Sequence, residues 1–304
     1  MRRRAALGAL GALAACSREH AVADRAIAGD DDDGPLAPAR PRYPEAPDGA
    51  RLAERPLTAL RVAKDRAPFL RAEVDGEAVL VLVATRAAPD RFRAPVAMAR
   101  LARRVALEGV PPCAARREAL AVLLEAADGD AREVLRDAAT FPDGRVPIAV
   151  SALPPRTKTR GTTYSEEAAA WARLAEAPAA PIGPAARAEQ SFVAMLSLDY
   201  LAGNYQRRTV DEDESGALWL VDNRSAFVAH PEARALDLVL DRLKLVKRFP
   251  RGLAASLARY DEASADEDFR AGDYESWLVH KRPIREHLLR ARTLRGLVES
   301  TRSR

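Results

Sequence analysis

Leu198-Asp199-Tyr200-Leu201-Ala202-Gly203-Asn204-Tyr205-Gln206-Arg207, followed by Leu218-Trp219-Leu220-Val221-Asp222-Asn223, is the stretch whose reading decides the fold. Its first half ends an apolar segment, Ala185 to Leu201, that carries hydrophobic residues all along a predicted helix. Asn204 to Arg207 then form a polar loop. Its second half reads as a short hairpin over Ala217 to Val221, closing on the dipeptide Asp222-Asn223.

Upstream of this stretch the pattern is that of strands. Leu57 to Val62, Phe69 to Val74 and Val79 to Val83 are strand-like runs, with Asp75-Gly76 as a hairpin turn between the last two. Val96, Met98, Leu101 and Val105 have helical spacing, and Pro95 is acceptable in a first turn. A second helix is predicted over Arg116 to Ala127 and a further strand over Val146 to Val150. Downstream the pattern is helical: Glu166 to Ala177, Ala185 to Leu201, Leu236 to Val246, Leu253 to Tyr260 and Trp277 to Ser300. The folded part therefore divides into a small mixed half, residues 57–151, and a helical half, residues 152–304.

Composition narrows the function. With 304 residues and 48% hydrophobic content the chain has enough apolar material for a large core. The formal charge is +4, and Arg2, Arg3 and Arg4 supply three of those charges, so a dedicated nucleic-acid binder is excluded as a first reading. Only five lysines stand against 43 arginines, which makes each lysine position informative. No Gly-x-x-x-x-Gly-Lys-Ser/Thr, Gly-x-Gly-x-x-Gly or Gly-x-Ser-x-Gly motif occurs, and His20, His230, His280 and His287 lack zinc-ligand spacing. His280 and His287 are read as surface or core residues. Lys244, Lys247, Arg248 and Arg251 form a basic stretch, read as a solvated helix face, with a phosphate or phospholipid headgroup site as the other reading.

Residues 1–15 read as an export signal. Met1 to Arg4 are a positive start, and Ala5 to Ala15 are an uncharged run far shorter than the roughly 20 residues that span a bilayer. Leu13-Ala14-Ala15-Cys16 resembles the lipobox of bacterial lipoproteins, which implies lipidation at Cys16 and anchoring of an exported protein to a bacterial membrane. Cys113 is then left without a partner, and is read as an inert core thiol. Residues 16–56 read as a tether: Asp30 to Asp33 are an acidic run, and prolines 35, 38, 41, 44 and 47 follow without apolar periodicity.

The paired stretch at 198–223 is similar to the signature of the secretory-pathway kinases: the Golgi casein kinase family, its four-jointed relatives and their bacterial homologues. There the pattern is Phe-Asp-Tyr/Phe-Leu-x-Gly-Asn-x-Asp-Arg, then a hairpin ending in Asp-Asn. Val96 to Pro112, ending Val110-Pro111-Pro112, resembles that family's small-lobe helix and its exit. Leu240 to Leu253 resembles the large-lobe segment of the bacterial four-jointed homologues. The resemblance implies an α+β, protein-kinase-like, two-lobed fold with a small mixed lobe and a mainly helical large lobe. It also implies magnesium or manganese with ATP or ADP as the ligands of the cleft, with Asp222 as the metal carboxylate and Asn204 and Asn223 beside the nucleotide. A carboxylate after a hairpin strand is a suitable hard-ion ligand.

Phosphoryl transfer needs three further groups: a strand lysine on the phosphates, a helix glutamate, and an aspartate that accepts the substrate proton. Gln206 stands at the proton-accepting position, and a carboxamide is not a usable base near neutral pH. Pro95 stands at the helix-glutamate position, and no lysine lies in Val79 to Ala84. Lys64 falls too early and Lys158 too late, while Arg86 lies just past the strand with a fork that differs from an ammonium. The expectation is a lipid-anchored pseudokinase of the cell envelope, a binding or regulatory module for an unknown envelope protein or glycan, with residual metal or nucleotide binding at Asn204, Asp222 and Asn223 but no efficient phosphoryl transfer. Two alternatives stand beside it: an active atypical kinase of exported proteins or glycans, with Arg86 for the lysine and a carboxylate such as Asp199 for the base, and a lipoprotein scaffold that binds no nucleotide.

Overall fold

Val79-Leu80-Val81-Leu82-Val83 is buried at every position, because this strand lies inside a sheet that is covered on both faces. A computed structural model describes residues 49–154, 156–161, 183–227, 232–269 and 281–302. Five strands form the sheet of the small lobe: β1 (Thr58–Val62), β2 (Leu70–Val74), β3 (Glu77–Val83), β4 (Cys113–Ala119) and β5 (Arg145–Ala152). Their order is β1-β2-β3-β5-β4, and each neighbouring pair is antiparallel. The β2–β3 turn is the two-residue kind anticipated from Asp75-Gly76, both of which hold positive φ, 52° and 80°. That geometry matches the twist of the paired strands.

Alternation along β3 sends its side chains to two different layers. Val79, Val81 and Val83 join Leu70, Val74, Ile148 and Val150 beneath three helices, α1 (Gly49–Glu54), α3 (Leu120–Ala126) and α4 (Gly129–Arg136). Leu80 and Leu82 face the opposite way, where they meet Phe69, Phe92 and Val96 together with Trp219 and Val221 from the large lobe. Phe92 directly precedes the helix α2 (Arg93–Arg104), and Val96 lies on it. The second layer is the one through which the small lobe packs on the large lobe.

Three local expectations change in this lobe. Residues 49–54, assigned to the tether from sequence, are helical, with Leu52 buried and with Arg116 Nη1 donating to the carbonyls of Leu52 (3.0 Å) and Arg55 (2.5 Å). The folded unit therefore reaches back to Gly49. The helix expected from Arg116 to Ala127 is strand as far as Ala119, because Cys113 to Ala119 pair residue by residue with Ser151 to Arg145, and sheet pairing outweighs the helical preference of Ala, Arg and Glu. Helix α4 was not anticipated. Its N-cap is Asp128, whose carboxylate accepts from the Ala131 amide at 2.8 Å.

The large lobe contains α5 (Pro184–Ala202), α6 (Ala233–Leu245), α7 (Leu253–Ala258), α8 (Glu262–Phe269), α9 (Lys281–Arg302), and a three-stranded sheet of β6 (Lys158–Gly161), β7 (Thr209–Glu212) and β8 (Leu218–Trp219). Strands β6 and β7 and helix α8 had no sequence expectation, and the hairpin expected within Ala217 to Val221 is instead made by β7 pairing with β8. The helix expected at 166–177 lies outside the described residues, as do Cys16, His20, His230 and His280. Helix α5 is buried on nearly every face from Ala188 onward, in keeping with apolar residues all round its second half. It crosses the core of the lobe beside α6, α7 and α9. His287 is a core residue: one ring nitrogen bonds the Leu201 carbonyl (2.7 Å) and the other the Tyr260 hydroxyl (3.0 Å). Burial pushes its pKa down to about 4. Cys113 is a buried free thiol that accepts from Ser151 Oγ at 3.1 Å, and burial pushes its pKa up to about 12. That is the environment of an inert core thiol. No described helix is long and apolar enough to cross a membrane.

Candidate active-site cleft

Helix α5 delivers the chain to the cleft. Gly203 ends it in the left-handed conformation (φ 65°), its amide bonding back to the carbonyls of Asp199 and Tyr200. That cap turns the chain so that Asn204 to Arg208 run as a loop into β7, and the β7–β8 hairpin returns it to Leu220, Val221 and Asp222. Gly109 fixes the floor from the other side. It holds φ +93°, its carbonyl accepts from the Leu220 amide at 2.6 Å, and a Cβ there would stand 2.8 Å from the Leu218 carbonyl oxygen. Only glycine fits that combination of approach and dihedral.

Beneath the loop lies a buried polar frame centred on Arg207. Its guanidinium grips Asp199 with two parallel bonds, Nε to Oδ2 at 2.7 Å and Nη2 to Oδ1 at 2.6 Å, and both side chains are fully buried. The same guanidinium donates to the Asp222 carbonyl (3.0 Å) and to Asn223 Oδ1 (2.8 Å). Asn223 Nδ2 in turn donates to the Leu220 carbonyl at 2.5 Å. Asn204 donates its backbone amide to the Asp199 carbonyl (2.8 Å) and its side-chain amide to Asp199 Oδ1 (3.2 Å). One arginine thus ties the helix end, the loop and the segment after the hairpin into a single piece. Fork geometry is what lets arginine do this and lysine not.

At the mouth of the cleft the side chains are differently disposed. Gln206 is exposed, with the Tyr205 hydroxyl as its partner (3.2 Å). Asp222 is part-exposed; its Oδ1 accepts from the Arg224 amide at 3.3 Å, and its Oδ2 stands 3.6 Å from Arg224 Nη2. Arg224 also donates to the Ala67 carbonyl in the β1–β2 connection and lies 5.9 Å from the centre of the Phe69 ring.

No known family's sequence profile matches the chain, and no curated protein matches it in sequence. Its backbone does match solved structures. The crystal structure of the Golgi casein kinase superposes with a TM-score of 0.60 at 13% identity, over 84% of this chain and 74% of that one. The structure of hydra Fam20 with sugar gives 0.61 at 16% identity, over 83% and 87%. The Golgi casein kinase with Mn/ADP bound gives 0.60 at 12% identity, over 83% and 75%. The fold is kinase-like and two-lobed. At these identities the likeness is one of fold, and it agrees with the two-lobed α+β architecture expected from the 198–223 stretch.

Within that kinase-like fold, the residues singled out from sequence fall into two groups. Asn204, Asp222 and Asn223 do converge, together with Asp199 and Arg207. Asn223, expected beside a nucleotide, has both ends of its amide engaged internally and is buried. Asn204 Oδ1 is a buried acceptor with no protein donor. That atom and the Asp222 carboxylate, 3.6 Å from Arg224, are the oxygens that would hold an ion here, waters and nucleotide phosphates completing its octahedral shell. Among the described residues, no three His, Cys, Asp or Glu side chains gather as ion ligands. Pro95 is buried in the first turn of α2, at the place where the resemblance implies a glutamate. Arg86 is exposed beyond the end of β3, its backbone amide bonded to the Asp137 carbonyl. Lys64 lies past the end of β1, exposed in the β1–β2 connection, and Lys158 is exposed on β6. Asp199, offered as a replacement base, is fully buried in its ion pair. The basic stretch is partly neutralised: Lys244 pairs with Asp241 (2.8 Å) and Arg248 with Glu189 (3.0 Å).

Sequence reading gave no role to Arg207, Arg224, Arg66 or Asp211. Arg207 stood in plain view as the last residue of the quoted motif, and Arg224 directly after Asn223. Arg66 and Asp211 are 145 positions apart, and nothing local marks them as partners.

Proposed function

We propose that this chain is a pseudokinase, an exported and lipid-anchored module of a bacterial cell envelope that binds or regulates an envelope protein or glycan and does not transfer phosphate. The observation that carries the reading is Gln206: exposed at the mouth of an otherwise complete polar frame, it puts a carboxamide where the chemistry requires a base. The surrounding groups agree. Pro95 supplies no carboxylate, β3 supplies no lysine, and Asp222 stands 3.6 Å from the guanidinium of Arg224. Anchoring through Cys16 and export through residues 1–15 rest on the lipobox-like sequence.

A kinase frame without its chemistry remains useful as a shaped, rigid surface. Binding needs only the positions of Asp199, Arg207 and Asn223 to hold the loop, whereas transfer needs an acid–base group in contact with the substrate hydroxyl. The test is direct. Full chain incubated with γ-labelled ATP and either manganese or magnesium, with casein and a glycan mixture as acceptors, is expected to label nothing above the level of the Asp222→Ala variant. Manganese-dependent labelling that Asp222→Ala abolishes would overturn the reading and favour the active atypical kinase.

A further inference from the structure

The connection between β1 and β2, Ala63 to Phe69, is fastened to the large lobe at three points. It is first closed on itself: the Ala63 amide donates to the Phe69 carbonyl (2.9 Å), Arg66 to Ala63 (2.8 Å) and Phe69 to Arg66 (2.9 Å). From the loop so formed, the Arg66 side chain passes out of the small lobe and pairs with Asp211 on β7, both side chains at or below 3% exposure. The same guanidinium donates to Thr159 Oγ1 on β6, and Thr157 Oγ1 donates to the other Asp211 oxygen at 3.3 Å. Asp65 closes the outer end, at 3.3 Å from Arg66 Nε and 3.0 Å from Arg71. The second fastening is Arg224, which faces Asp222 and donates to the Ala67 carbonyl. The third is apolar: Phe69 and Ala63 pack in one cluster with Trp219 and Val221.

Asp211 pairs across the hairpin with Trp219, so the two side chains share the face of β7–β8 turned toward the small lobe. The loop therefore delivers a cation onto the face of the hairpin that packs against the small lobe. In kinases the loop between the first two strands lies over the nucleotide phosphates, and a metal ion lies on the aspartate after the hairpin. Here the corresponding loop carries its own guanidinium to Asp211, and Arg224 puts a second one on Asp222.

We propose that Arg66 and Arg224 form an internal latch, which holds the two lobes closed in the absence of any ligand and keeps the cleft occupied by the protein's own cations. This rests on the pseudokinase reading and adds its regulation: the closed state is the ground state, and anything that enters the cleft must first displace the 63–69 loop. The Arg66 fastening is the stronger. A buried, bidentate-capable pair loses far more when one partner is removed than an exposed one does. Arg224 is about a quarter exposed and acts as the outer clasp.

Amide hydrogen exchange on the full chain, read by mass spectrometry, tests the latch. In the wild type, 63–69 and 209–212 are expected to exchange as slowly as the β2–β3 hairpin. Arg66→Ala is expected to speed exchange of both segments together by at least about tenfold, since either can open only when the other lets go, and to leave β4 and β5 unchanged. Because Arg66→Ala strands Asp211 and can impair folding, Arg224→Ala serves as the milder variant, expected to speed only Ala67 to Phe69, by a few fold, with the melting temperature nearly constant. Rapid exchange of 63–69 in the wild type overturns the latch, as does a 209–212 segment that ignores Arg66→Ala or a 67–69 segment that ignores Arg224→Ala. Phosphoryl transfer by the wild type overturns the pseudokinase reading through a different assay, so the two failures are told apart.

Discussion

Asp199, Arg207 and Asn223 lie beneath the site with their hydrogen-bonding groups engaged and buried, whereas Gln206 and Asp222 lie at its mouth with full or partial exposure. The two regions meet within the few residues between Asn204 and Arg207, so the difference is not one of distance. It is one of what each position must do. A buried frame residue that loses its partner exposes an uncompensated charge to a low-dielectric core, which the fold does not tolerate. A mouth residue that loses its chemistry costs the fold almost nothing. Kinase-like shape and kinase chemistry can therefore part company one side chain at a time, and the shape is the part that the core protects.

Breaking the frame gives the largest expected effect. Asp199→Ala leaves Arg207 buried and unpaired, and urea unfolding is expected to show a loss of about 3–5 kcal/mol, or no folded protein at all. A loss below about 1 kcal/mol would show that the frame is not what holds the loop.

Acid comes next, through His287. Burial holds its folded pKa at about 4, against an ordinary value of 6.5. Above pH 6.5 the ring is neutral in both states and the contribution is flat. As pH falls from 6.5 toward 4 the unfolded chain takes up a proton that the folded chain refuses, so stability declines, by roughly 3 kcal/mol over that window. His287→Gln should flatten the slope in urea midpoints measured between pH 4 and 7. An unchanged slope would assign the acid sensitivity elsewhere.

Gly109→Ala is expected to cost about 1–3 kcal/mol, because a methyl group at positive φ would press on the Leu218 carbonyl oxygen. The smallest effect belongs to the mouth. Gln206→Asp should change stability by less than about 0.5 kcal/mol, and on its own it should restore no transfer, since Arg224 still faces Asp222. Turnover regained by that single change would mean that the base was the one missing part.

The stretch that holds this frame was legible in the sequence because its residues are close together along the chain, although the role of Arg207 was not. Asp199, Gly203, Asn204 and Arg207 sit on one helix end and the loop after it, and Asp222-Asn223 closes the adjacent hairpin, so a local pattern carried the site. Strands β2 and β3 and their turn were readable because alternation and a Gly at positive φ are local signals as well. What escaped the reading depends on distant partners. Arg116 looked helical, and only its pairing opposite Ile148 makes it a strand residue. Leu52 looked like part of an acidic and Pro-rich tether until the sheet covered it. Arg66 and Asp211 become a pair only once the lobes close, and one arginine among 43 carries no mark of that role.

The central claim is that the places of a metal and a nucleotide are taken by the protein's own side chains. A melting titration of the wild type with ADP and manganese, each to millimolar concentration, tests it most directly, with Asp222→Ala as the control. A ligand at about a hundred times its dissociation constant adds roughly 2.7 kcal/mol to the native state, which a melting curve registers clearly. The account expects no metal-dependent rise in either protein. A rise that requires both ADP and manganese, and that vanishes in Asp222→Ala, would contradict it and show an open nucleotide site.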